Sequence, residues 1–185
     1  MCQDYKMNNL SFVNILDVKD DLKFKVRLWR NSKDVRDYML DGHIITEEEH
    51  LQWLSSLKNN NRQKFWVVFF NETPIGSVYL HNINKQDLSS SWGFYIGEGS
   101  YRRKGLGKKM LFMLLQEFFE NIHLETLKTI VYSSNSTALA IYKKFYFTEV
   151  ETDEPDISMN LTELVFTISD WTKHKESLFN DYFCS

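Results

Sequence analysis

Two short stretches of the 185-residue chain hold residue types spaced for chemistry. The first is Gly97-Glu98-Gly99-Ser100-Tyr101-Arg102-Arg103-Lys104-Gly105-Leu106-Gly107-Lys108-Lys109. Four of the seven glycines fall there with five of the 22 Lys and Arg residues, and no Asp or Glu occurs from Gly99 to Gln116. Glycine lets backbone approach a ligand closely, and the free N–H groups and dipole of a helix start favour an anion, so the stretch is suited to phosphate. The spacing excludes two kinds of phosphate site. A Walker loop requires Gly-Lys-Ser/Thr after four residues, and here position 104 is Lys and Lys108 is followed by Lys109. A dinucleotide fingerprint requires a glycine at position 102, which is Arg. An ordinary turn with a solvated basic flank would have the same composition, so a second feature is needed. It is Asn135-Ser136-Thr137-Ala138-Leu139-Ala140-Ile141-Tyr142-Lys143-Lys144-Phe145-Tyr146-Phe147, about 30 residues later.

Composition narrows the setting of this chemistry. With 43% hydrophobic residues, 14 Phe, 9 Tyr and 5 Trp, the chain can offset its ordering entropy, which excludes disorder. A formal charge of −3 argues against a nucleic-acid partner. Cys2 and Cys184 form neither a disulfide framework nor a zinc-ligand spacing. No apolar run approaches the ~20 residues of a membrane span, and Met1 to Asn9 lacks a signal-peptide apolar region. The expectation is a cytoplasmic protein of one domain over residues 1–185, without membrane or nucleic-acid partners.

The elements that must position the two stretches read as follows. Leu10 to Ile15 is a first strand, and Asp20 to Asn31 an amphipathic helix with Leu22, Val26 and Trp29 at helical spacing. Thr46 and Glu49 form a capping box, opening a helix with Leu51, Leu54 and Leu57 on one face. Phe65 to Phe70 and Ile75 to His81 make a hairpin about Asn71-Glu72-Thr73-Pro74, followed by a strand at Ser91 to Ile96. Leu106 to Glu120 is an apolar helix with Met110, Leu111, Leu114, Leu115 and Phe118 inward. Thr129 to Tyr132 is a short buried strand, Ser136 to Phe145 a helix, and Phe147 to Val150 and Leu164 to Ile168 antiparallel strands. A meander followed by alternating helices and strands predicts an α/β (α+β) fold: a mixed, mostly antiparallel sheet flanked by helices, with its core over about 10–168. The remaining 169–185 reads as an aromatic tail for the core or a second subunit, leaving a homodimer open.

Together, the two stretches resemble the Gcn5-related N-acetyltransferase (GNAT) superfamily. Arg102, Gly105 and Gly107 meet its Arg/Gln-x-x-Gly-x-Gly/Ala motif, and Asn135, Ala138 and Tyr142 meet its Asn-x-x-Ala-x-x-x-Tyr motif. One departure is Tyr146, where the family commonly has Gly; it reads as a changed turn. The resemblance implies a splayed strand pair and acetyl-CoA as co-substrate, without metal. The pyrophosphate would lie on Arg102, Arg103, Lys104, Gly105, Leu106, Gly107 and Lys108, and pantetheine along Tyr95 and Ile96. Asn135, Ala138 and Tyr142 would complete the donor site, and Tyr142 would protonate the leaving thiolate. A phenol of pKa near ~10 is chemically suited to that role.

For the acceptor, Arg30-Asn31, the Val35-Arg36-x-x-Met39 spacing and Glu49-His50-x-x-Trp53 are similar to one branch of the superfamily. It comprises the N-acetyltransferases of pseudaminic acid biosynthesis, which act on the 4-amine of UDP-4-amino-4,6-dideoxy-N-acetyl-β-L-altrosamine. The likeness implies a UDP-sugar pocket of Arg30, Met39, His50, His81, Asn82 and Tyr95. Arg30 suits a phosphate through its bidentate fork, Met39 and Tyr95 offer adaptable apolar surface, and His50 or His81 is suited to relay the amine proton. Plainer roles exist: Arg30 as a helix C-terminal cation, His50 as a surface helix residue, Tyr142 as a packed aromatic. Acetylation of protein N-termini, and non-catalytic acyl-CoA sensing, are the alternative functions.

Overall fold

A computed structural model describes residues 9–150 and 160–184. Its seven strands are β1 (Leu10–Asn14), β2 (Lys64–Phe70), β3 (Thr73–Asn84), β4 (Ser89–Ile96), β5 (Thr126–Tyr132), β6 (Thr148–Val150) and β7 (Leu161–Thr167). They form one sheet in the order β1-β2-β3-β4-β5-β7-β6. Every pairing is antiparallel except that of β4 with β5. The helices are α1 (Asp20–Asn31), α2 (Lys33–Arg36), α3 (Glu47–Leu57), α4 (Leu106–Gln116), α5 (Ser136–Lys144) and α6 (Ile168–Phe183). The mixed, mostly antiparallel sheet is the expected one, and none of the described helices is long and apolar enough to cross a membrane.

Strand alternation divides the interior into two cores, one on each face of the sheet. Trp66, Val68, Val78, Leu80 and Trp92 face α4 and α6. Val67 and Tyr95, from the alternate positions, pack with Val26 and Trp29 of α1 and Leu54 of α3. Apolar residues surround α4 because it is buried on two sides. Met110, Leu111, Leu114 and Leu115 are fully buried, while Phe112 turns to Trp171, Phe179 and Phe183 of α6 at ring-centroid distances of 5.2–5.8 Å. The aromatic segment after 168 is therefore a helix docked on the core, opened by a capping box between Thr167 and Asp170.

Three expectations shift. The Thr46–Glu49 capping box forms, but Leu51 is 52% exposed and the buried residues of α3 are His50 and Leu54. A step of three residues turns back by about 60°, so Leu51, Leu54 and Leu57 drift around the helix rather than sharing a stripe. The α4 helix ends at Gln116 and continues as a π-helical turn, Glu117–Asn121, with the Ile122 N–H donating to the Glu117 carbonyl at 3.0 Å. Finally, the departure at Tyr146 falls on a left-handed position. Tyr146 takes the left-handed conformation, φ 63°, that a glycine adopts without strain, while the Phe147 N–H bonds the Tyr142 carbonyl at 3.0 Å.

Candidate active site

The parallel β4–β5 pairing is short: Ser89–Thr126, Ser90–Leu127 and Ser91–Lys128 are in register, and beyond them the strands part. Trp92 to Ile96 thereby keep one edge on β3 and have no strand partner among the described residues on the other. Such an edge can take an extended amide-bearing chain as a pseudo-strand. The parting also explains why Ile130 to Tyr132, expected to be buried, are only half-buried.

Beyond β4 the chain turns into α4 through two left-handed residues, Arg103 (φ 60°) and Gly105 (φ 76°). Glycine avoids strain at 105, where a side chain would have open space but a left-handed backbone. The Leu106 and Gly107 amides, at positions N1 and N2, have no intrahelical acceptor, so the turn and helix start together present N–H groups to an anion. The glycine bunching has more than this one cause. A Cβ at Gly97 would lie 2.2 Å from the Trp29 ring, so Gly97 is set by packing against α1, whereas Gly99 has open space around it.

The side chain of Arg102 turns inward. Its Nε donates to the Ile96 carbonyl at 2.9 Å, its Nη2 to the Gly97 carbonyl at 3.3 Å, and its Nη1 to Asp34 of α2 at 2.6 Å. Asp34 is 72% exposed, so the ion pair contributes at most about 1 kcal/mol and the carbonyl bonds fix the guanidinium. Arg102 thus clamps the end of β4, leaving Arg103 and Lys108 as the cations lining the cavity at this turn. Leu106 is buried, and the Lys104 ammonium lies over the Tyr101 ring.

One cavity of about 1680 Å³ joins this turn to the opposite face of the sheet. Single-ligand pockets hold ~300–1,000 Å³, so the space admits two substrates. Its donor-side wall includes Tyr95, Ile96, Asn135, Ala138 and Tyr142. Asn135 caps α5, its Oδ1 accepting from the Ala138 N–H at 3.1 Å. Tyr142, 4% exposed, lies edge-on to Trp92 with centroids 5.6 Å apart. Burial pushes its phenol well above the ordinary tyrosine range, against the pull of the Thr129 hydroxyl.

On the other side the cavity reaches Arg30, Met39, His50, His81, Asn82 and Tyr95, six residues from five segments. Asn82 stands at a bulge opposite Ser90 with φ 54°, turning β3 outward at the rim. His50 is a buried residue of α3, its Nε2–H donating to the Lys23 carbonyl of α1 at 2.8 Å; Nδ1 keeps its lone pair. Burial lowers the pKa of both His50 and His81, so both imidazoles are neutral at pH 7. Tyr95 is pushed up by burial, with the Ser77 hydroxyl pulling the other way.

Arg30 donates an N–H of Nη2 to the Asp41 carbonyl, while its Nη1 is buried with no partner among the described residues, as is Nε of Arg27 three residues earlier. Arg27, Phe65 and Tyr79, not singled out in sequence, also line this side, together with Trp53 of the Glu49-His50-x-x-Trp53 spacing. Phe65 and Tyr79 are cross-strand partners, stacked at 5.5 Å, and Trp53 meets Phe65 edge-on at 4.9 Å. The signal was an alternation in which β2 and β3 turn large aromatics to the α1 face.

Two ties hold the acceptor-side helices to the donor-side loop. One is Arg102–Asp34; the other is Glu98, which accepts from the Trp29 indole at 3.1 Å and pairs with Lys25 at 2.7 Å. The hydrogen bond from Lys25 lowers the Glu98 pKa.

The profile of a family described as "Acetyltransferase (GNAT) domain" matches residues 15–148. The acetyltransferase PseH of Campylobacter jejuni is 31% identical over 149 residues, covering 80% of this chain and 88% of that protein. The crystal structure of that enzyme with acetyl coenzyme A matches with a TM-score of 0.66 at 24% identity, over 86% of this chain and 99% of that one. Spermidine N-acetyltransferase from Vibrio cholerae, with CoA and spermine, matches at 0.79 and 16% identity, over 89% and 99%; at that identity the likeness is one of fold. A split strand pair leading to an amide-lined helix start, and a family profile spanning most of the sheet, converge: this chain belongs to the GNAT acetyltransferase family and is an N-acetyltransferase.

Proposed function

We propose that the enzyme uses acetyl-CoA to acetylate the 4-amino group of a UDP-linked amino-deoxy sugar, the reaction of pseudaminic acid biosynthesis. The observation that carries this reading is the pair of arginines lining the acceptor side, Arg27 and Arg30, each with a buried nitrogen that has no partner among the described residues. A buried unpaired donor costs about 1–3 kcal/mol, more on a charged group, so the acceptor best suited brings its own anion. A UDP-sugar does so through its diphosphate. A polyamine would add cations beside two arginines, and a peptide N-terminus would bring no anion to meet them. The likeness to PseH over 80% of the chain points the same way.

Acetyl-CoA supplies an acyl thioester with a thiolate leaving group. The free edge at Tyr95 and Ile96 is suited to hold its pantetheine. The Arg103 to Lys108 turn suits its pyrophosphate, with Arg102 fixing the carbonyls at the base of that turn. Asn135 and Ala138 set the start of α5 and so the reach of Tyr142. Tyr142, kept protonated by burial, holds a proton for the departing sulfur. His50 through Nδ1, or His81, neutral at pH 7, accepts the proton that the amine loses on attack. The arrangement supports direct attack with both substrates bound.

The test follows free thiol release from acetyl-CoA with the UDP-4-amino sugar as acceptor. Saturable turnover is expected. Background release with that sugar, and turnover with peptide N-termini or polyamines instead, would overturn the reading.

A further inference from the structure

One half-buried phenol of the cavity, that of Tyr79, has no place in the chemistry above. Tyr79 stands on β3 directly across from Gly93 of β4, and its ring lies flat on Phe65 at 5.5 Å with 2° between planes. A Cβ at Gly93 would come within 2.4 Å of Tyr79 Oη and 2.6 Å of its Cζ. The ring tip therefore occupies the space that any other residue at 93 would fill. Gly93 lies two residues beyond the last β4–β5 rung, at Ser91, so the hydroxyl rests where the strands begin to part. This is the crossing point between the two sides of the cavity. Among the described residues, Met39 Sδ, at 4.0 Å, is the one atom within hydrogen-bonding reach of that hydroxyl, and a thioether is a weak acceptor. The oxygen bears on the chemistry across the sheet as well, adding to the upward push on both Tyr142 and Tyr95.

We propose that Tyr79 orients the acceptor: its Oη takes a hydrogen bond from an N–H of the attacking amine, turning the nitrogen lone pair toward the parted strands. Oη is suited to accept because its own O–H has the Met39 sulfur to point at, leaving the oxygen lone pairs free. Phe65 fixes the plane of the ring and Gly93 its reach, so the hydroxyl is preorganised. The role rests on the acetyltransfer assigned above, without depending on which amine is the acceptor.

Tyr79→Phe keeps the stack and removes the hydroxyl. The comparison is run on whichever amine the wild type acetylates fastest among a UDP-amino sugar, a polyamine and a peptide N-terminus, with unacylated thiol release by water as the baseline. Tyr79→Phe is expected to lower kcat on that amine at least about tenfold, leaving the KM for acetyl-CoA, the water-driven baseline and the thermal midpoint in place. Failure of the sugar reading appears as a different preferred amine in the wild type; failure of this inference appears as unchanged kcat in Tyr79→Phe. Gly93→Ala is the second probe. It is expected to reduce the same rate in the wild-type background and to add nothing when combined with Tyr79→Ala, which removes the ring it displaces. Additive losses, or a raised KM for acetyl-CoA in Tyr79→Phe, would mark a packing role and overturn the proposal.

Discussion

The two sides of the cavity are built from different materials. The donor side is largely backbone: a strand edge from Trp92 to Ile96, two left-handed residues at Arg103 and Gly105, and the first amides of α4. The acceptor side is largely side chain: Arg27 and Arg30 from α1, Met39 from the loop after α2, His50 and Trp53 from α3, Phe65 from β2, Tyr79 and His81 from β3. A backbone site tolerates many side chains and demands a few conformations. A side-chain site demands particular groups and tolerates many routes of chain to bring them together. Substitutions on the donor side should therefore leave acceptor affinity in place, and those on the acceptor side should leave donor affinity in place.

Tyr142 is the exception that sharpens this contrast, since it is the one donor-side side chain asked to do chemistry. Tyr142→Phe keeps the edge-on contact with Trp92 and the 5.2 Å contact with Phe147 while removing the hydroxyl. Loss of a general acid lowers kcat by ~10²–10⁴-fold. The KM for acetyl-CoA is expected to stay near its wild-type value in steady-state kinetics. Equal changes in both would return Tyr142 to a packing role.

Arg30 marks the opposite side and the next largest effect. Arg30→Ala removes the guanidinium that lines the acceptor side. A charge-assisted bond to an anion is worth about 1.5–3 kcal/mol, which corresponds to roughly 10–100-fold in acceptor KM, with donor KM unmoved. An effect on the donor instead would break the division between the two sides.

This division also governs what was legible in the sequence. The donor side reads from Arg102-x-x-Gly105-x-Gly107 and Asn135-x-x-Ala138-x-x-x-Tyr142 because local backbone conformation is encoded by neighbours. Arg102 illustrates the limit: its type was legible, but its clamp on the Ile96 and Gly97 carbonyls depends on where β4 ends in space. The acceptor side depends on tertiary registration. The pairing of Phe65 with Tyr79, and of Tyr79 with Gly93, is set by hairpin register, and no spacing along the chain announces it. His50 reads from sequence as a helical residue, but the face of α3 that is buried depends on α1 packing beside it. The boundaries of α1, by contrast, are those expected, its acidic first turn and amphipathic spacing being local signals.

The acceptor side is also where pH should act on stability. His50 and His81 have folded-state pKa values lowered by burial from the ordinary 6.5. A depressed pKa contributes stability that is present above the unfolded value and is lost as pH falls through the folded one. Denaturant midpoints are expected to decline as pH drops from about 6.5, and His50→Asn should flatten that decline. The lowered carboxylates Glu49, Glu98 and Glu120 act below their ordinary 4.5 and leave this window clear. A midpoint unchanged from pH 7 down to 5 would show that neither histidine is held neutral by burial.

The smallest effect tests the donor side's dependence on conformation rather than identity. Tyr146 holds a left-handed turn after α5, which carries Tyr142, at a steric cost of about 1–2 kcal/mol for a residue with a Cβ. Its ring stacks on His174 of α6 with centroids 3.8 Å apart, which returns part of that cost by tying α5 to the docked C-terminal helix. Tyr146→Ala keeps the strain and loses the stack, so it should destabilise. Tyr146→Gly loses the stack but releases the strain, and should be more stable than the alanine variant by about 1 kcal/mol in denaturant unfolding. Both should keep the Phe147 N–H to Tyr142 carbonyl bond and therefore wild-type kcat. Alanine equal to glycine would mean that the turn adapts to its residue, and the donor side would then be less a matter of fixed backbone than Gly105 and Arg103 make it.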